Sequence, residues 1–549
     1  MFQKSQKKAE ATLENMRRVF SIPQSDSATL MKIERQISHN LLGFMRQHTI
    51  AGEMEPAQIE QDFMNVSVPE DPMFVNDQAQ FLMEKVVSQS VHTASPSFIG
   101  HMTSSMPHFM LPLAKIMIAL NQNVVKIETS KAFTPLESQV VGMLHNFIYH
   151  RDPAFYERWT HHRAHAFGIF CSGGTIANLT GLWVARNLLL APKGDYHGVR
   201  EDGLAAGLAE YGFKKLVILV SARGHYSLKK SADILGLGRS NLIAIPTDDQ
   251  NKIDLTALRE KIAELKQLKI GILALVGIAG TTETGNVDPL NEMADIAALH
   301  KIHFHVDGAW GAPTLFSQRY RHILRGIERA DSVVIDAHKQ LYVPVGAGIC
   351  VFKNETSLDA VETSAQYIVR RGSRDLGKHT LEGSRAGMAM LVHSALRIFG
   401  RKGYEILLDR GIELAAEFSG MILDSQDFEL TTAPELNILT YRFVPVNLRK
   451  KWDTLPQDAK FAVNSLLSEL TVNIQKTQRD NGQSFVSRTT FEIPSQGRQS
   501  LTVFRVVLAN PLTTRQVLDD VLAEQRVIAE SEMRKMNFSQ EVDKFFLQT

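Results

Sequence analysis

The chain has 549 residues, 44% hydrophobic and 22% charged, an ordinary globular composition with length for two or three domains. Sixty lysines and arginines against 59 acids give a formal charge of +1, which leaves no argument for a nucleic-acid partner. The two cysteines, Cys171 and Cys350, form no ligand motif, so a reducing compartment is expected and a metal site is not.

Residues 1–90 read as helices broken by the turn Pro69–Pro72, with no candidate chemistry. The opening MFQKSQKKAEATLENMRRVF lacks the apolar core of a signal peptide. The longest apolar run, IGILALVGIAG near 270–280, is roughly half a membrane span. A cytoplasmic, unanchored protein is therefore expected. From about 165 the pattern changes. Strands are predicted at 166–171, 215–221, 242–246 and about 271–280, then at 303–310 and 332–339. Between them lie helical stretches at 175–190, 254–268, 289–302 and 321–330. Asp254 is placed to cap the second of these, with Leu255, Leu258, Ile262 and Leu265 on one face. This alternation predicts an α/β domain whose central sheet is mainly parallel and flanked by helices. Beyond 400, a helix at 385–420, short strands near 427–444, a polar linker at 480–482, the strand TVFRVVLAN and a last helix at 513–530 suggest a smaller α+β domain. The expected division is 1–95, 96–400 and 401–549.

Ligands of such sheets gather at the carboxyl ends of the strands. The run SVVIDAHK ends a buried strand on His338 and Lys339. A buried lysine is costly as an ion, so this placement suits an amine used covalently, as in Schiff-base chemistry. Other strand ends carry fitting groups. In CSGGTIAN, Gly174 and Thr175 open a helix whose N-terminus suits a phosphate, although a plain turn reads the same way. In SARGHYS, His225 is either a ring to stack on a flat cofactor or an ordinary loop histidine. Thr281 and Thr282 follow another apolar strand, as contacts or as turn caps. In HVDGAWGA, Asp307 needs a cationic partner if buried, and a protonated pyridine nitrogen is one.

HVDGAWGA followed 32 residues later (339 − 307) by the lysine of DAHK resembles the group II pyridoxal-phosphate-dependent amino acid decarboxylases, from about Ser95 to the C-terminal helix. The resemblance implies fold type I, the transferase fold of enzymes using pyridoxal 5′-phosphate, and a homodimer with its active site at the interface. It implies that Lys339 carries the cofactor, Asp307 pairs with the ring nitrogen, Ala309 packs on the ring and His225 stacks over it. Gly174, Thr175 and His338 would lie near the phosphate, and Thr282 near the cofactor. Tyr367, 28 residues after Lys339 (367 − 339), matches the tyrosine that returns a proton to the substrate carbon across the dimer.

The same resemblance bears on substrate. Arg505 in VFRVVLANP matches the arginine that grips a side-chain carboxylate in the acidic-substrate branch. His101, in PSFIGHMTSS with Thr103, stands where glutamate-specific members carry glutamine. L-Aspartate, giving β-alanine, is the expected substrate; L-glutamate, giving 4-aminobutanoate, is the alternative. A transaminase, a sulfur lyase and a non-catalytic scaffold are the rival readings. A second departure is Asp336, where the family often has asparagine. An anion there must turn from the phosphate or bond to backbone.

Overall fold

The computed structural model describes residues 28–47, 50–52, 54–364, 373–493 and 496–547, together with Thr12 and Ser25. The chain forms two compact units. One comprises Met1–His101, Phe443–Arg488 and Leu512–Thr549; the other comprises Met102–Arg442 and Thr489–Pro511.

The second unit is built on a seven-stranded sheet. Its strands are β1 (Gly168–Cys171), β2 (Leu216–Ser221), β3 (Leu242–Ile245), β4 (Gly271–Ile278), β5 (His303–Asp307), β6 (Ser332–Asp336) and β7 (Gly348–Phe352), in the order β1-β7-β6-β5-β4-β2-β3. The run from β3 to β6 is parallel, while β7 is antiparallel to both β6 and β1. The mainly parallel sheet is thus as expected, with β7 an addition that the sequence reading did not single out. Every residue of β2 and β4 is buried, as continuous runs such as LVILVS require when helices cover both faces.

The flanking helices include α1 (Phe133–Tyr149), α2 (Gly174–Leu189), α3 (Leu255–Gln267) and α4 (Leu290–His300). In α3 the Asp254 carboxylate accepts from the N–H groups of Thr256 and Ala257, and Leu258, Ile262 and Leu265 are buried, as predicted. The helix expected at 321–330 is instead two 3-10 turns, Arg321–Leu324 and Ile327–Arg329. Gly326 between them has φ 101°, and a Cβ there would meet the Asn291 nitrogen at 2.4 Å. That close approach to α4 excludes a continuous helix.

A four-stranded sheet joins β8 (Phe428–Thr432), β9 (Ile438–Phe443), β10 (Ser487–Ile493) and β11 (Gln499–Val507) in the order β10-β11-β9-β8. Arg505 lies opposite Thr440 in the antiparallel β9–β11 pair.

In the first unit, α5 (Gln457–Asn481) packs on α6 (Arg515–Lys535). The polar stretch read as a linker is the end of α5, closed by Gly482 in the left-handed conformation. Phe98 stacks on Phe485 at 4.8 Å, and the Ile99 N–H donates to the Phe485 carbonyl. The residues just before His101 are held there by backbone as well as by rings.

Candidate active site

The carboxyl ends of β1, β2, β4, β5 and β6, with Arg505 on β11, carry candidate residues of the second unit. Asp307 ends β5 and is 6% exposed. Its Oδ2 accepts from the Asn178 side-chain amide at 2.9 Å and its Oδ1 from the Ala309 N–H at 3.2 Å. Asn178, three residues into α2 from Thr175, is held in turn: its Oδ1 lies 2.9 Å from His305 Nε2. His305 Nδ1 lies 2.7 Å from the Ser332 hydroxyl. Burial, reinforced by neighbouring His303, pushes His305 down to about 3, so its ring is neutral. A neutral ring donates from Nε2 to Asn178 and accepts at Nδ1 from Ser332. This fixes the orientation of the Asn178 amide, which presents its NH2 to Asp307. Sequence reading missed Asn178, His305 and Ser332.

Asp336 ends β6 and is 3% exposed. Its Oδ2 accepts from the Gly174 N–H at 3.0 Å, and its Oδ1 lies 2.6 Å from His338 Nδ1. This is the backbone bond that an anion at this position called for. It also engages the first N–H of α2. The N–H groups of Thr175 and Ile176 and the Thr175 hydroxyl remain without a partner among the described residues. A Cβ on Gly174 would stand 2.9 Å from Asp336 Oδ2 and 3.5 Å from the Ala309 methyl, so this turn lies directly beside Ala309. A Cβ on Gly348 of β7 would strike the Gly173 backbone at 2.3 Å. Only glycine lets β7 approach that closely.

Lys339 follows, half-buried. Its carbonyl accepts from the Ser104 hydroxyl at 2.6 Å. The next turn is anchored by Gln340, which donates to the Trp310 carbonyl at 2.8 Å and accepts from Asn437. Tyr342 takes φ 59°, a strained value for an aromatic residue, and its hydroxyl donates to the Ala509 carbonyl. His225 Nδ1 lies 2.8 Å from the Ser227 hydroxyl. Burial lowers the His225 pKa, Asp307 opposes the shift, and Lys339 lowers it further, so the three share one electrostatic environment. Thr281 is fully buried against Thr284, whereas Thr282 is half-buried and its carbonyl accepts from Arg505 at 2.9 Å. Burial lowers the Arg505 pKa, with Glu283 opposing. Thr103 is half-buried in the same unit; His101 is exposed and belongs to the first unit. Tyr367 lies outside the described residues.

Residues 56–444 match the pyridoxal-dependent decarboxylase conserved domain. The chain is a pyridoxal-dependent decarboxylase. It is 53% identical over 525 residues to the aspartate 1-decarboxylase of Aliivibrio fischeri, covering 96% of each chain. It is 27% identical over 450 residues to the acidic amino acid decarboxylase GADL1 of Bos taurus, covering 80% of this chain and 79% of the other. Its fold superposes on the crystal structure of mouse CSAD with a TM-score of 0.79 at 23% identity, over 92% of this chain and 99% of that one. The decarboxylase is therefore a carboxy-lyase acting on an amino acid, with pyridoxal phosphate as cofactor. Its strand ends suit that group: an amine at Lys339, a buried carboxylate at Asp307, and open N–H donors at the start of α2. No helix among the described residues is long and apolar enough to cross a membrane.

Proposed function

We propose that the enzyme removes the α-carboxyl group of L-aspartate to give β-alanine and carbon dioxide. The observation that carries this reading is the likeness to a named aspartate 1-decarboxylase at 53% identity over nearly the whole chain. The placement of Arg505 supports it. A half-buried guanidinium, braced by the Thr282 carbonyl at the end of β4, is suited to a substrate's second carboxylate. Burial pushes the neighbouring Glu283 carboxyl up, which weakens it as a competitor for that guanidinium.

Bound pyridoxal phosphate supplies a carbonyl to capture the substrate amine and a cationic ring to accept the electron pair left by carbon dioxide. The side chains do the rest. Lys339 holds the cofactor through its amine and helps release the product. Asp307, oriented by Asn178 and Ala309, would pair with the ring nitrogen and favour its protonated form. His225 and Ala309 would pack against the ring. The N-terminal turn of α2, with His338, receives the phosphate. Arg505 would fix the distal carboxylate and so orient the substrate's α-carboxylate for loss. Tyr367 returns a proton to Cα. His101 and Thr103 contribute to substrate selection. The reading extends to a homodimer, supported by a helix at Met110–Leu120 that leaves Leu111, Ile116, Ile118 and Leu120 exposed. Two buried free thiols, Cys171 and Cys350, are in keeping with the reducing cytoplasm.

The test is release of carbon dioxide by the cofactor-loaded enzyme, with L-aspartate and L-glutamate offered separately. Faster release from aspartate, with β-alanine accumulating, is expected. One methylene separates the two substrates, worth about 1–3 kcal/mol in a pocket, so preference rather than exclusion is the result to look for. Faster release from glutamate would overturn the choice of substrate while leaving the reaction type intact.

A further inference from the structure

At the opposite end of β1 from Gly174, the second unit holds a cavity of about 320 Å3. Its walls are the start of α1, the run from Thr160 to Ala166 that enters β1, and the segment Arg374–His379. Four residues of β1 separate this end of the strand from the cofactor turn, roughly 13 Å of extended chain. None of the candidate catalytic residues lines it.

The cavity is strongly cationic. Lys131, Arg163, Arg374 and Lys378 line it, against a single carboxylate, Asp375. Asp375 is already committed: one oxygen accepts from the Ile127 N–H at 2.9 Å and the other from the Ser373 hydroxyl at 2.7 Å. Lys378 is anchored by the carbonyls of Arg163 and Ala164, with Glu362 at 3.5 Å. Lys131, Arg163 and Arg374 make no ion pair among the described residues. Lys131 also holds φ 34°, a backbone value that a lysine rarely adopts.

Histidines also belong to its wall. His162 Nδ1 accepts from the N–H groups of Ala164 and His165, which leaves its proton on Nε2. His379 is 1% exposed and, among the described residues, its Nε2 has no partner, an uncommon state for a buried polar atom. Burial, with Lys378 and His165 nearby, keeps that ring neutral, so it adds no charge of its own to the wall. Three cations without an ion pair among the described residues, the anchored ammonium of Lys378 and the His162 imidazole line one half-open space. We propose that this cavity binds a phosphate group, free or esterified, at a site separate from the cofactor's own. The site borders the two flanks of residues 365–372, since the Thr363 N–H donates to the Lys378 carbonyl at 2.8 Å.

The experiment is calorimetric titration of the cofactor-loaded enzyme, its own phosphate site filled, with inorganic phosphate and separately with glycerol 3-phosphate. Lys131 and Arg374 are exposed, so the Lys131→Gln/Arg374→Gln double variant keeps the fold. One ion per chain is expected, weakened about tenfold or more in the double variant, with the visible spectrum of the bound cofactor unchanged. Equal affinity for both probes would support recognition of the phosphate group alone; tighter binding of the ester would support an esterified ligand. Absence of binding by either probe, or equal affinity in enzyme and double variant, would overturn the proposal.

Discussion

Asp307 and Asp336 end neighbouring parallel strands, are almost equally buried, and each precedes a small residue. Their surroundings nevertheless differ. Asp307 takes a side-chain amide from α2 and an N–H from its own turn, and behind that amide stands a chain of neutral donors reaching through His305 to Ser332. Asp336 takes a backbone N–H from the helix terminus meant for an anion, with His338 beside it. The first carboxylate is presented by a side-chain scaffold; the second is tied to backbone where it stands. A strand-end aspartate has no fixed role, and the groups behind it decide what it does.

That contrast can be broken by experiment. Asp307→Asn is expected to lower turnover by about 10²–10³-fold and to alter the visible spectrum of the bound cofactor. Asn178→Ala removes one hydrogen bond to a carboxylate, about 1.5–3 kcal/mol, and should cost turnover roughly ten- to a hundredfold. Retention of cofactor with a changed pH profile would mark Asn178 as a positioning residue; an unchanged profile and full activity would remove it from the scheme. The His305 link has its own signature. Its ring is held at about 3 in the folded protein, below the ordinary value of 6.5, so the unfolded chain alone takes up this proton in between. The neutral ring's contribution is complete above 6.5 and is lost as pH falls toward 3, by about 1.4 kcal/mol per pH unit. Denaturant unfolding of His305→Gln across that window should show a slope reduced by one proton. Asp336→Asn should have the smallest effect, tightening the cofactor by about 1 kcal/mol or less, read from its apparent Kd. If Asp336→Asn proved as damaging as Asp307→Asn, the distinction between the two carboxylates would fail.

Much of this was legible in the sequence, for physical reasons that also set its limits. Strands β1 to β4 and β6 are mostly apolar runs between turns, and β5 alternates as HFHVD; the strand-end positions of Asp307, Lys339, Gly174 and His225 follow from them. β7 was not read because GICVF reveals its place only through antiparallel pairing with β1 and β6, which are distant in the chain. Asn178 sits inside TIANLTGLW and looks like any polar residue of a helix; its partner is 129 residues away. The turns at 321–330 carry a helical pattern, but Gly326 is drawn against α4 by a contact that periodicity does not encode. The expectation that Asp336 would bond to backbone could be made from charge alone, whereas the identity of Gly174 as its partner could not.

The interleaving of the two units bears on how the protein is made. The first hundred residues are completed only by segments 443–488 and 512–549, and the large sheet's unit only by 489–511. At about 5–20 residues per second, translation leaves the N-terminal segment waiting on the order of a minute for its partners. Phe63, Met64, Val66 and Val68, exposed even in the finished chain, are uncovered throughout. A ribosome stalled before residue 443 would release a chain whose beginning lacks both of the segments it folds with, a ready substrate for chaperones and proteases.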